Sequence, residues 1–155
     1  MSATVVLSGV TSVRRAVVED VPWIAGQLKD FAAFQQVHFP LFDADYAPQG
    51  LTWLIEQHVV FVAEHAGQPA GLIGGILGTH PFHPRLTTLT QLFWWVTPAH
   101  RRSRAGSLLI EAFVDHGKTH ADWVVMSISA HSPLRERTLL KRGFHLQDRG
   151  YLLEV

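Results

Sequence analysis

The sequence predicts an α/β (α+β) fold: a mixed central sheet of six to seven strands flanked by about four helices, in the order β-α-α-β-β-β-α-β-α-β-β. Three observations lead there. Short runs rich in Val, Ile, Phe, Trp and Thr alternate with segments whose apolar residues recur every three to four positions. The last half of the strand at 87–96 is apolar on both faces (Phe93, Trp94, Trp95, Val96), so helices are expected on both sides of the sheet. No linker, repeat or low-complexity block interrupts the 155 residues, so a single domain over 1–155 is expected. A chain of this length buries about two-thirds of its unfolded surface and needs no staple.

Residues 5–7 read as a short extended segment and 10–15 as a first strand. Asp20 suits an N-cap, with Pro22 in the first turn where its missing N–H does no harm. Ile24, Leu28, Phe31 and Ala32 then mark a helix to about Gln36. Residues 37–48 break the pattern with two prolines, and a short helix follows over 49–57 with Leu51, Leu54 and Ile55 inward. Strands at 58–65 and 70–79 flank the turn Ala66-Gly67-Gln68-Pro69 as a hairpin. Residues 80–86, with two prolines, read as a loop before the strand at 87–96.

A helix from Ser103 to about His116 carries Ala105, Leu108, Leu109, Ala112 and Phe113 on one face, and Gly117 reads as its stop. Residues 122–129 are strand-like. Ser132 and Pro133 open a helix that lasts until Arg142, where Gly143 ends it; 144–147 and 151–155 are two final strands.

The turn between the strand at 87–96 and the next helix carries the chemistry. The first turn of a helix has backbone N–H groups without acceptors, and its dipole places roughly half a positive charge there. Arg101, Arg102 and Arg104 add formal charge, and Gly106 permits close approach of a bulky anion. A diphosphate is the natural guest; the alternative is a basic linker whose arginines face water.

Composition narrows the partners. The chain has no Cys, which excludes disulfides, thiolate nucleophiles and cysteine-held zinc. Thirteen basic residues balance thirteen acidic ones, so no nucleic-acid partner is expected and the basic cluster is local. The longest apolar run, 70–78, is too short to span a bilayer, and no signal peptide is read, so the expectation is a cytoplasmic protein with no membrane partner. His116 and His120 have the i, i+4 spacing of a zinc pair, but no third ligand is near and no metal is expected.

The run Arg101-Arg102-Ser103-Arg104-Ala105-Gly106 resembles the acetyl-CoA signature of the GNAT N-acetyltransferase superfamily, Gln/Arg-x-x-Gly-x-Gly/Ala. Arg101 matches the opening residue and Gly106 the last; Arg104 stands where the first glycine is usual. If that position needs a positive φ, a non-glycine residue costs roughly 1–2 kcal/mol. The resemblance extends along nearly the whole chain, through Val13-Arg14-Arg15-Ala16, Val62-Ala63-Glu64 and Lys141-Arg142-Gly143-Phe144. It implies direct transfer of an acetyl group from acetyl-CoA, as co-substrate, to a primary amine of a small molecule or peptide. It also admits a homodimer.

By the same resemblance, main-chain groups of Trp94, Trp95 and Val96 pair with the pantetheine, and residues 101–107 (Arg101, Arg102, Ser103, Arg104, Ala105, Gly106, Ser107) cradle the pyrophosphate. Asp43, Asp45 and Tyr46 fall in the segment that often lines the acceptor site; two carboxylates there suit a cationic amine, and a solvated acidic loop is the alternative. The family's tyrosine acid falls at Leu139, its asparagine at Ser132, and its pre-loop glutamate at Gln91, none of which keeps the usual residue. Ser132 or His131 is then left to supply a proton and water-relayed His80 or His131 to accept one, unless the amine arrives already deprotonated. Each histidine also has an ordinary structural reading. A second reading of the whole chain is a CoA-binding or assembly module with weak or no turnover.

Overall fold

A computed structural model describes residues 9–38 and 41–155; the extended segment expected at 5–7 lies outside them. Five strands form one sheet in the order β1 (Thr11–Arg15), β2 (Val59–His65), β3 (Gln68–His80), β4 (His83–Val96) and β5 (Trp123–Val125). The first three pairings are antiparallel and β4/β5 is parallel. The helices are α1 (Val21–Phe34), α2 (Ala47–Gln57), α3 (Ala105–His120) and α4 (Arg137–Leu140).

Side chains alternate across a strand, and here both faces are covered. Val60, Val62, Leu72 and Phe93 face α1 and α2 in one core with Ile24, Leu51 and Leu54. Val59, Ala63, Ile73 and Leu89 face α3 in the other, with Leu109 and Phe113. Phe113 is wholly buried, which stabilises the fold by about 2–3 kcal/mol.

Several expectations need correction. Asp20 does not cap α1 with its side chain; a 3-10 turn over Val18–Asp20 precedes the helix, and the Asp20 carboxylate accepts the Val17 N–H at 2.8 Å. Gln68 and Pro69 belong to β3 and not to the turn: His65 pairs with Gln68, leaving Ala66 and Gly67 as a two-residue hairpin turn, both at positive φ. The loop expected at 80–86 is another two-residue turn, since His80 pairs with His83. Pro84 is tolerated because β5 does not reach that far along β4's outer edge.

Gly117 does not stop α3, which continues to His120. It is buried, and a Cβ there would fall on Val124 Cγ2.

The six to seven strands expected reduce to five among the described residues. β5 keeps only three residues, and neither 144–147 nor 151–155 forms a strand. A hairpin needs an apolar face to bury, yet Tyr151, Leu152 and Leu153 stay exposed. Glu154 instead accepts hydrogen bonds from the His38 backbone N–H at 3.0 Å and approaches its ring at 2.8 Å. The helix expected over 132–142 shrinks to one turn. Ser132 Oγ accepts the Leu134 N–H at 3.1 Å, which turns the chain locally, and Leu139 is the helix's one buried residue.

Candidate functional site

The site begins at an irregularity in β4. Gly75 pairs with Gln91 and Gly74 with Phe93, so Leu92 is an extra residue bulged out of the ladder. On the other side, β5 accompanies β4 only from Thr88 to Thr90. Beyond that point the two diverge, and a cleft of ≈ 670 Å³ opens between them. Two side chains hold its edges: Gln91 Oε1 accepts the Ser127 N–H at 2.9 Å, and Gln35 Oε1 accepts the Ser129 hydroxyl at 2.9 Å.

The divergence leaves main-chain groups of β4 without a strand partner. Thr97 donates its N–H to Ala70 at 2.9 Å, so by antiparallel alternation Trp95 exchanges bonds with Leu72. Trp94 and Val96 therefore direct their N–H and C=O groups away from β3, toward the cleft. Trp95, from which edge groups are also expected, turns its backbone to β3 instead. The side chains divide the other way. Trp94 packs on the α3 side, with its indole N–H buried and without an acceptor among the described residues, and Trp95 packs on the α1 side.

After β4, Pro98–His100 makes a 3-10 turn tied by Thr97 Oγ1 to His100 Nδ1 at 2.8 Å. Ser103 Oγ donates to the His100 carbonyl at 2.7 Å and accepts the Ala105 N–H at 3.2 Å. The first intrahelical bond runs from the Leu108 N–H to Arg104. Among the described residues, the N–H groups of Gly106 and Ser107 have no acceptor, and both residues line the cleft. Gly106 opens onto it: the nearest atom to an added Cβ is Val96 Cγ2 at 3.6 Å. Arg104 sits at φ −79°, so the cost attached to a non-glycine residue at this position does not arise.

Of the residues expected to hold the coenzyme, Trp94, Trp95, Val96, Arg101, Ser103, Gly106 and Ser107 line the cleft. Arg101 is positioned by two contacts: its guanidinium lies 4.8 Å from the Trp95 ring, and its Nε donates to the Val96 carbonyl at 3.3 Å. Ala105 is buried in the core beneath α3, and Arg102 and Arg104 line a separate recess beside His65.

Of the acid–base candidates, Ser132 lines the cleft, whereas His131 is exposed beside it and donates its backbone N–H to Ser129 Oγ at 3.4 Å. His80 lies at the hairpin turn against Phe82 and Trp123. That is about 26 Å along β4 from Gln91 at about 3.3 Å per residue. Asp43, Asp45 and Tyr46 are exposed ahead of α2, where Asp43 Oδ1 accepts the N–H groups of Asp45 and Tyr46. His116 and His120 stack at 4.1 Å, and no group of three possible metal ligands occurs among the described residues.

Sequence reasoning missed Phe34, Gln35, Thr138, Lys141 and Arg142, all on the cleft wall. Phe31 and Phe34 share one face of α1 with its C-cap Gln35, which in sequence is indistinguishable from a core-facing stripe.

The chain matches the family model described as the acetyltransferase (GNAT) family over residues 26–144, and it belongs to that family of acetyl-CoA-dependent transferases. Its fold is similar to a possible acetyltransferase from Clostridium difficile 630, at 15% identity and TM-score 0.73, covering 94% of this chain and 97% of that one. A "predicted acetyltransferase with acetyl-CoA" from Clostridium acetobutylicum is similar at 13% identity and TM-score 0.72, covering 94% and 96%. So is a ribosomal-protein-alanine N-acetyltransferase from Brucella melitensis biovar Abortus 2308, at 17% identity and TM-score 0.72, covering 94% and 99%. No curated protein matches the sequence. No helix among the described residues is long and apolar enough to cross a membrane.

Proposed function

We propose that the protein is an N-acetyltransferase that moves an acetyl group from acetyl-CoA to a primary amine of a small molecule or peptide by direct attack. One observation carries this reading: the edge of β4 without a strand partner at Trp94 and Val96 and the acceptor-less N–H groups of Gly106 and Ser107 open onto the same cleft. A diphosphate at the start of α3 meets unpartnered donors, the helix dipole and Arg101. The pantetheine arm, with its two amides, continues along β4 as an added strand.

The amine nitrogen attacks the thioester carbon, the oxyanion is stabilised by edge N–H groups, and the C–S bond breaks; the nitrogen sheds its surplus proton to the proton carrier, which gives one to the thiolate. Ser132, with a hydroxyl whose own hydrogen is free to donate, is the proton source we assign. His131 serves as a relay through water at the rim. His80 is the weaker candidate, because it lies at the far hairpin turn. Leucine at position 139, where a tyrosine acid is usual, favours a second reading, a CoA-binding module without turnover; thiol release separates the two.

The test is thermal denaturation with CoA. At one hundred times its dissociation constant, a ligand adds about 2.7 kcal/mol of stability. Gly106→Glu, which has room for its Cβ, is expected to fold normally and lose the whole shift, because it sets a carboxylate against the phosphates. An unchanged shift in that variant overturns the assigned loop.

A further inference from the structure

On the α1 side, the cleft is walled by Phe31, Phe34, Leu41 and Trp95. Both phenyl rings meet the Trp95 indole edge-on, with centroids 6.1 and 6.0 Å away. The indole itself is fixed by donating to Gln27 Oε1 at 3.2 Å. The packed rings form an apolar aromatic wall on which a flat group can lie, bounded by polar amides at Gln35 and Gln91.

The charges in the cleft point the same way. Its ionised lining residues are Arg101, Lys141 and Arg142, and no Asp, Glu, His or Tyr among the described residues lines it. Nothing here attracts an ammonium group, and nothing here removes its proton. Gln91, on the strand beside the bulge, is already bonded to Ser127 and has no basic atom. The carboxylates of Asp43 and Asp45 are outside the cleft lining, and Asp43 is engaged with its own backbone.

Resting on the acetyltransferase reading above, we propose that the acceptor is an aromatic amine whose nitrogen is unprotonated at neutral pH, of the arylamine class. If the diphosphate lies at the start of α3, the thioester reaches the gap between β4 and β5 from one face of the sheet. The amine arrives from the other, with its ring against the wall formed by Phe31, Phe34 and Leu41. Its lone pair attacks the thioester carbon as the C–S bond breaks. The acidic proton of the arylammonium so formed passes by way of the Ser132 hydroxyl to the departing thiolate, giving an N-acetylarylamine and CoA.

Thiol release from acetyl-CoA with para-toluidine, benzylamine and spermidine tests this, run beside the CoA-induced thermal shift. Para-toluidine is expected to exceed benzylamine at least about tenfold in kcat/KM at neutral pH, with spermidine slower still. Its rate is expected to stay flat between about pH 6.5 and 8.5, while that with benzylamine climbs about tenfold per pH unit as its ammonium deprotonates. Phe34→Ala is expected to raise KM for para-toluidine about tenfold and keep the CoA shift.

Faster turnover of benzylamine or spermidine, an unchanged KM in Phe34→Ala, or no thiol release with any amine despite a CoA shift overturns the arylamine assignment and leaves CoA binding standing. Absence of any CoA shift overturns both.

Discussion

Arg14 holds two carboxylates at once. Its Nη1 and Nη2 donate to Asp20 at 2.7 and 2.9 Å, and its Nε donates to Glu64 at 2.9 Å, so β1, the turn before α1 and β2 are pinned together. The hydrogen bonds from Arg14 hold the Asp20 carboxyl below its ordinary range, against the opposing effect of burial and with help from the Val17 N–H. A depressed carboxylate contributes stability that is complete above the unfolded value of about 3.9 and is lost as pH falls through the folded one. Asp20→Asn is therefore expected to cost about 1 kcal/mol at neutral pH, discounted for the partial exposure of Arg14. Urea denaturation at a series of pH values checks it. The gap to the unmodified protein should close below about pH 4, and a gap independent of pH would show that shape rather than charge is responsible.

At the scale of the element, α3 shows what periodicity reveals and what it hides. The stripe through Ala105, Leu109 and Phe113 is legible in sequence because each of those residues is buried against the sheet. The end of the helix is not, because Gly117 has two physical uses that look alike: a left-handed stop, or a gap where a neighbour needs room. Here the second holds, with Val124 of β5 in the space a methyl would take.

Gly117→Ala thus sets two effects against each other. Helix propensity gains about 1 kcal/mol, and overpacking costs about 1–3 kcal/mol. The net expectation is a loss near 1 kcal/mol, read as a lowered Tm. Val124→Ala in the same chain should restore part of it by vacating the clash. A Tm that rises in the single variant would mean that β5, with only three paired residues, yields without cost.

For the whole molecule, the turn proposed for the diphosphate is legible in sequence because its residues are local: Arg101, Ser103, Gly106 and Ser107 are consecutive enough for one turn to bring them to the cleft. The aromatic wall is not, since it joins Phe34 on α1 to Trp95 on β4 and opens to the cleft only because β5 leaves the sheet early. The terminal strands expected at 144–147 and 151–155 do not form for a related reason: apolar composition at 151–155 looks like a strand whether or not a partner edge is in reach.

The same early departure of β5 locates the weakest part of the fold. Residues 126–142 close one side of the cleft with one turn of helix and are tied to the rest through the Gln91–Ser127 and Gln35–Ser129 hydrogen bonds. Segments with few buried contacts open at low free energy, and a ligand that bridges them to the core suppresses that opening. A coenzyme seated between β4 and residues 127–138 should therefore slow amide exchange most in 126–142 and at the start of α3. β2 and α2, whose Val59, Val60, Leu51 and Leu54 are already buried, should change little. Hydrogen–deuterium exchange with and without CoA measures this directly. Protection spread evenly over the chain, or concentrated on α2, would place the coenzyme elsewhere than in the gap between β4 and β5.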